Sequence, residues 1–446
     1  MTQERNNVVK LAASSRPRRL RRIVAGSLLA GAVLAGILTM GVFGGAREHV
    51  VTGSALLGFG LGWAMLAMLS SRMTSEPQRW ALVPAVAMAA TGLGLLVLAP
   101  DDRALTAAGW VWPPLLFALA VWIGVQTRRS ISRGGGRWAL FSVVGLMILA
   151  ALGGITETAA LASNQRLYPM PGQSYDVGGY QLHLDCTGSG SPTVVLLSGL
   201  GEFSPNWARI VSSVGGTTRV CAYDRAGQGW SEDAPRPQDG LEAADDLHNL
   251  LRDAGEQGPF VLAGHSIGGP YAMTYATRYP EGVAGMVLLD STDPYQASPV
   301  MGSPQAGALL GVLPSLSRLG IPLLFPTSFW SNLPEPAAGQ IQALSTTPRA
   351  RANYRDESAM LPVLLYQAQA LTSFESKPLI VITADASQDR PAAHDRMSDL
   401  SSNSLHRFTD ETHAGLLEDD SGARVSARAI NDLVEAVRTG SELRPD

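Results

Sequence analysis

Val261-Leu262-Ala263-Gly264-His265-Ser266-Ile267-Gly268-Gly269 is a short apolar run that ends in G-x-S-x-G and passes straight into a helix-compatible segment, Tyr271 to Tyr279. A serine held at the tip of a sharp strand-to-helix turn needs neighbours without bulk two positions before and two after it. Gly264 and Gly268 supply that room, so the stretch predicts a nucleophile elbow at Ser266. The pattern carries little weight alone. Its setting adds to it, because acidic and histidine candidates follow downstream in the order serine, acid, histidine.

Upstream of the elbow the chain changes character. Of its 446 residues, those up to about 163 hold five apolar stretches free of formal charge, near 23–45, 50–69, 80–99, 110–127 and 138–156. Each has about the 20 residues needed to cross a bilayer as a helix. The sequence therefore predicts a basic cytoplasmic tail over 1–22, a membrane region of about five helices over 23–162, and a separate domain over 163–446. A cleaved signal peptide does not account for the first stretch, which is too long and is followed by four more.

Lysine and arginine collect in the tail (Arg16, Arg18, Arg19, Arg21, Arg22), in the second link (Arg72, Arg79) and in the fourth (Arg128, Arg129, Arg133, Arg137), whereas the first and third links carry only Arg47 and Arg103. The positive-inside rule places the tail in the cytoplasm. Five crossings then put everything after about residue 160 outside it. The transmembrane half is expected to hold no buried charged residue of the kind that marks a transport pathway, which argues against a transporter. A net charge of −4 without a basic patch in the second half gives no reason to expect a nucleic-acid partner.

After Asn164, short β-branched runs alternate with helical segments, the pattern of an α/β sheet. Strands are expected at Tyr175–Val177, Gln181–Cys186, Thr193–Leu197, Arg219–Tyr223, Phe260–Ala263, Met286–Leu289, Leu379–Thr383 and Leu405–Phe408. Helices are expected at Pro205–Val214, Leu241–Ala254, Pro270–Tyr279, Ala392–Leu400 and Arg424–Val437.

Over about 172–438 the sequence resembles the α/β-hydrolase family. The resemblance rests on the elbow, on Val195-Leu196-Leu197-Ser198-Gly199-Leu200-Gly201, similar to the family's third strand and oxyanion loop, and on Tyr223-Asp224-Arg225-Ala226-Gly227-Gln228-Gly229-Trp230-Ser231, similar to its D-x-x-G-x-G-x-S turn. It implies a mostly parallel eight-stranded sheet with helices on both faces. It also implies a cap insertion over 291–377, where Leu309 to Leu333 is rich in apolar residues and Arg349 to Leu371 reads as an amphipathic helix. In that sheet the second strand runs antiparallel beside the fourth, bringing Cys186 and Cys221 nearly opposite each other. A disulfide and a pair of buried thiols both remain open.

A serine hydroxyl near neutral pH needs a base within reach and a third group to orient that base. The resemblance points to His413, in the loop after the last strand, as base. His265, beside the nucleophile, is expected to point elsewhere. The acid has several candidates. Asp290, at the end of the sixth strand, is favoured; Asp385 is the alternative, with Asp293 and Asp389 behind it, because a serine, Ser387, stands where many family members carry the acid. The main-chain N–H groups of Leu200 and Ile267 are the expected oxyanion donors. No cofactor or metal is called for.

Serine at the elbow argues against the dehalogenase and epoxide-hydrolase branches, which carry aspartate there. The expected function is a membrane-anchored serine hydrolase acting on carboxylic esters, with a small-molecule or lipid acyl substrate and the bilayer as partners. Peptidase or acyltransferase chemistry on lipid or envelope substrates is the enzymatic alternative, and a silent hydrolase-like binding module the non-catalytic one.

Overall fold

The computed structural model describes residues 2–131, 134–296, 302–324, 332–385 and 390–444. The chain forms two compact units, Met1–Ser163 with Pro304–Phe325, and Asn164–Ser303 with Pro326–Asp446.

The first unit is helical: α1 (Thr2–Gly36, continued by a π-turn over Ile37–Val42), α2 (Glu48–Met73), α3 (Leu82–Leu98), α4 (Asp102–Ala108), α5 (Trp112–Ser130) and α6 (Gly135–Leu167). Four spans, Arg19–Val42, Glu48–Met73, Arg79–Leu98 and Gly136–Leu167, are long and apolar enough to cross a membrane, and α4 with α5, bent by 47°, is a fifth if the pair is one broken span rather than a re-entrant loop. Small residues let these helices approach closely. A Cβ on Gly58 would stand 2.5 Å from the Ala35 nitrogen, and one on Gly53 would stand 2.9 Å from the Gly92 carbonyl oxygen.

The second unit is built on eight strands: β1 (Gln173–Asp176), β2 (Gln181–Thr187), β3 (Val194–Leu197), β4 (Val220–Tyr223), β5 (Phe260–His265), β6 (Val283–Leu289), β7 (Leu379–Ala384) and β8 (Ser404–Thr409). Their order is β1-β2-β4-β3-β5-β6-β7-β8. Pairings β1–β2 and β2–β4 are antiparallel and the rest parallel. The expected strands all form.

Because side chains alternate along a strand, the same sheet feeds two apolar layers. Val195, Leu197, Leu262 and Leu288 pack beneath α8 (Gly240–Asp253) and α9 (Gly268–Arg278). Val194, Leu196, Val261 and Val287 face α7 (Ala208–Val214) and the C-terminal helices on the other side. The helix α8 starts at a capping box in which Asp239 Oδ1 accepts the Glu242 N–H at 2.9 Å.

Between β6 and β7 the chain forms α10 (Pro304–Gly311), α11 (Leu313–Arg318), α12 (Ala337–Ser345) and α13 (Pro348–Ala368); beyond β7 follow α14 (Arg390–Ser398), α15 (Gly415–Glu418) and α16 (Asp420–Thr439). Helices α10 and α11 belong to the first unit. Arg318 Nε donates to Glu48 Oε1 at 2.5 Å and Nη2 to Asp102 Oδ1 at 2.6 Å. Ser315 and Thr52 share a hydroxyl hydrogen bond of 2.8 Å.

One expectation for the helical region fails. Glu157, one residue past the last apolar stretch, is 2% exposed, and neither of its carboxylate oxygens has a hydrogen-bond partner among the described residues.

Candidate active site

Strand β5 delivers Ser266 to the sheet's C-terminal edge with φ +55°, in the left-handed region where a side chain costs energy. The turn closes so tightly that a Cβ on Gly264 would stand 2.5 Å from the Gly268 carbonyl carbon, and one on Gly268 only 2.0 Å from the Leu197 oxygen. A third glycine is needed as well, since a Cβ on Gly269 would fall 1.8 Å from Ser291 Oγ. The Ser266 N–H donates to the Leu289 carbonyl at 3.2 Å, and the Ser266 carbonyl accepts the Thr292 N–H at 3.0 Å, so the end of β6 and the loop that follows it hold both sides of the turn.

The loop after β8 carries His413, whose Nδ1 lies 2.5 Å from Asp290 Oδ2. An ionised carboxylate only accepts, so Nδ1 carries the proton and Nε2 is left to act as a base. Asp290, at φ +40° beyond β6, is 3% exposed, and its Oδ1 accepts the Ala384 N–H at 3.1 Å. The other acids lie elsewhere. Asp385 is exposed and its N–H donates to the Glu411 carbonyl at 3.2 Å. Asp293 Oδ2 pairs with Arg396 Nη2 at 2.6 Å. Asp389 lies outside the described residues.

Ser198 and Gly199 form the loop after β3, and their polar groups are tied down. The Gly199 N–H donates to Glu202 Oε2 at 2.5 Å, and Ser198 Oγ accepts the Trp207 indole N–H at 3.0 Å. Arg225 Nη1 and Nη2 donate to the carbonyls of Ser198 and Gly199 at 2.6 and 3.1 Å. Among the described residues the N–H groups of Leu200 and Ile267 find no acceptor in the protein.

His265 does point away from the elbow's tip, but it is not idle. Fully buried, it places Nδ1 2.7 Å from Glu202 Oε1, Nε2 2.9 Å from the His413 carbonyl and its ring centroid 4.4 Å from that of His413. Burial alone would lower the His265 pKa, but the Glu202 charge and hydrogen bond, with the His413 carbonyl, raise it above 6.5. Burial likewise would raise Glu202, and the His265 charge and hydrogen bond with the Gly199 N–H hold it below 4.5. The two shifts agree on an ionised pair. Sequence reasoning did not single out Glu202, Arg225 or Glu357; an acid two residues past Leu200 was the one available signal.

The remaining histidines of the hydrolase-fold unit have other partners. His183 Nδ1 pairs with Asp224 at 2.8 Å, His248 stacks on Tyr279 at 4.0 Å, and His394 and His406 each bond the Thr383 hydroxyl at 2.6 Å. Cys186 and Cys221 face each other across β2 and β4 with Cα atoms 4.0 Å apart and are joined by a disulfide.

A family model described as alpha/beta hydrolase fold matches residues 192–318. An uncharacterised protein of Schizosaccharomyces pombe is 27% identical, the alignment spanning 58% of this chain and 55% of that protein. An uncharacterised vacuolar membrane protein of Saccharomyces cerevisiae is 28% identical over 25% of this chain and 20% of its own length. The chain thus spans about half the length, or less, of these curated relatives. Among solved structures, one titled DBJA is 16% identical with a TM-score of 0.50, covering 61% of this chain and 99% of that one. A thermophilic esterase from Thermogutta terrifontis is 23% identical with a TM-score of 0.46, covering 59% and 97%. The C-terminal part of this chain is an α/β-hydrolase-fold domain, preceded by a region of four to five long apolar helices.

Proposed function

We propose that the chain is a membrane-anchored serine hydrolase that cleaves carboxylic esters through an acyl-enzyme. The observation that carries this reading is the 2.5 Å hydrogen bond between His413 Nδ1 and Asp290, at the sheet edge where the strained Ser266 turn ends β5. In the first step Ser266 Oγ attacks the ester carbonyl while His413 Nε2 takes its proton; Asp290 orients the ring and stabilises the imidazolium that forms. The carbonyl oxygen becomes an oxyanion facing the Leu200 and Ile267 N–H groups. Collapse expels the alcohol, which takes the proton from His413, and water repeats the sequence to free the acid.

Orientation belongs to the same proposal. Arginines at one end of the helical unit, five crossings when the bent pair α4–α5 counts as one span, and a disulfide, which persists in an oxidising compartment, together support an extracytoplasmic hydrolase domain.

The test is labelling by a fluorophosphonate, followed by a screen of acyl esters of graded chain length. Wild-type protein should label and Ser266→Ala should not; His413→Ala should lose ester turnover while remaining folded. Labelling without turnover of any ester points to the peptidase or acyltransferase alternative. No labelling of folded wild-type protein sinks the reading.

A further inference from the structure

The turn Asp224–Ser231 after β4 takes no part in the reaction proposed above, yet it contains a nearly buried arginine. Arg225 is 4% exposed and Glu357, on α13, is 8% exposed. We propose that Arg225, held by Glu357, is a positioning residue that aims the Leu200 N–H at the oxyanion, so that the seating of α13 sets catalytic competence. The inference rests on the serine-hydrolase reading.

Peptide geometry carries the argument. The Ser198 carbonyl and Gly199 N–H share one rigid plane, and the Gly199 carbonyl and Leu200 N–H share the next. In the first plane the N–H is bound by Glu202 at 2.5 Å and the carbonyl by Arg225 Nη1 at 2.6 Å. In the second, Arg225 Nη2 binds the Gly199 carbonyl at 3.1 Å. A trans peptide points its carbonyl and N–H in opposite directions, so fixing that oxygen fixes where the Leu200 N–H aims. Three of the four groups are engaged, and the fourth is the expected oxyanion donor.

Arg225 can do this only while Glu357 holds it. Its Nε donates to Glu357 Oε1 at 2.8 Å, and its guanidinium lies 4.2 Å from the centre of the Tyr271 ring. Gln228 completes the site, its Oε1 accepting the Arg225 N–H at 3.1 Å and its Nε2 donating to both Glu357 oxygens at 3.2 and 3.3 Å. Beside it, Asn353 of α13 donates to the Ala226 carbonyl at 3.1 Å, and Arg349 donates to the carbonyls of Gly229 and Ser231. The D-R-A-G-Q-G-W-S turn is thus a dock for α13. A buried charge stripped of its partner finds a new one or draws in water. Lifting Glu357 away therefore frees Arg225, and with it the peptide that carries the Leu200 N–H. A lysine cannot take its place, because one ammonium lacks the planar fork that bridges two successive carbonyls and a carboxylate.

The experiment compares full-length wild-type, Arg225→Lys, Glu357→Ala and Glu357→Gln proteins in detergent, using an activated ester and an alkylboronic acid. The boronic acid accepts the Ser266 oxygen, with the serine proton passing to His413, and sets a tetrahedral oxygen where the oxyanion would stand. Arg225→Lys and Glu357→Ala should lower kcat by roughly 100-fold, as loss of an oxyanion donor does. KM should stay within about threefold. Boronate affinity should fall in step with kcat, which a loss of packing alone would not produce. Glu357→Gln keeps an acceptor for Arg225 Nε and should retain most of the activity. Glu357 lies on α13 outside the sheet, so its variants decide the matter if Arg225→Lys does not fold. Folded Arg225→Lys and Glu357→Ala proteins whose kcat and boronate affinity remain within about threefold of wild type overturn the inference, as does a rise in KM at constant kcat. Under that outcome an active wild type leaves the hydrolase reading standing. A wild type that neither turns over ester nor binds boronate removes both.

Discussion

Asp290 engages both carboxylate oxygens, Oδ2 with His413 and Oδ1 with the Ala384 N–H, whereas Asp385 sits exposed one strand away. If Asp290 orients the base, Asp290→Asn leaves the geometry and reverses the tautomer, and kcat on an activated ester should fall by roughly 10⁴-fold. Asp385→Asn should change it by less than about threefold; the reverse ranking in steady-state kinetics would move the acid to β7. Beneath the site, Glu202 and His265 make stability depend on pH. A lowered carboxyl stabilises above its ordinary 4.5 and loses that contribution as pH falls through the folded value. A raised histidine stabilises fully below 6.5 and loses it as pH rises through the folded value. Both contributions are complete only between 4.5 and 6.5. The gap in unfolding free energy between wild type and Glu202→Gln, about 3–5 kcal/mol for a broken buried pair, should therefore peak there and shrink on either side. A gap that stays flat with pH in thermal unfolding rules out the ionised pair. Ser266, His413 and Asp290 were legible because each sits at a strand end marked by sequence. Glu202, Arg225 and Glu357 were not, because their partners come from segments 63, 27 and 132 residues away, and no local pattern encodes such distances.

At the scale of elements, the central strands formed as expected because β-branched and leucine runs such as Val194–Leu197 and Leu379–Ala384 are buried on both sheet faces, whereas β1 and β8 at the sheet's edges are half-buried to exposed. Boundaries were less legible. The expected helix from Pro205 begins as a single 3-10 turn over Ser204–Trp207, with Pro205 in the first turn where its missing N–H costs nothing. Helix α6 outruns its apolar stretch and continues to Leu167, carrying Glu157 into a buried position. Between β2 and β4, the register that pairs Leu184 with Tyr223 also sets Cys186 opposite Cys221. The disulfide closes a separation of 35 residues, and such a crosslink typically contributes about 2–4 kcal/mol by restricting the unfolded chain. Alkylation of the denatured, unreduced protein should leave both cysteines unmodified, and reduction should lower the unfolding temperature. Alkylation of either thiol before reduction would show that the bond does not form.

At the scale of the whole molecule, the insertion between β6 and β7 divides its residues, α12 and α13 packing in the hydrolase-fold unit while Pro304–Phe325 joins the helical unit. Sequence alone did not show this division, because the apolar residues of 304–325 suit a pocket wall and a helix bundle equally well. Within the helical unit, the segment is held at one end. Arg318 meets Glu48 at the start of α2 and Asp102 at the start of α4, and a Cβ on Gly153 of α6 would lie 2.0 Å from the Leu319 carbonyl. At the opposite end, Gln78 bonds the Ser130 carbonyl at 3.4 Å and a Cβ on Gly136 would come 3.3 Å from Arg21, close to the arginine-rich tail and links. The bundle therefore separates an arginine-rich end from the end that receives the insertion. Under the positive-inside rule the first faces the cytoplasm. A reporter active only outside the cytoplasm should then work when fused after Asp446 and stay silent when fused between Arg128 and Arg137. If the bent pair α4–α5 enters without crossing, four spans remain; with the tail inside, the Arg128–Arg137 link then lies outside and Asp446 inside, because α6 still crosses between them. Activity only from the second fusion would thus overturn the five-crossing arrangement, by an inverted orientation or by a re-entrant α4–α5, whereas activity from both fusions, or from neither, would show that α6 does not cross.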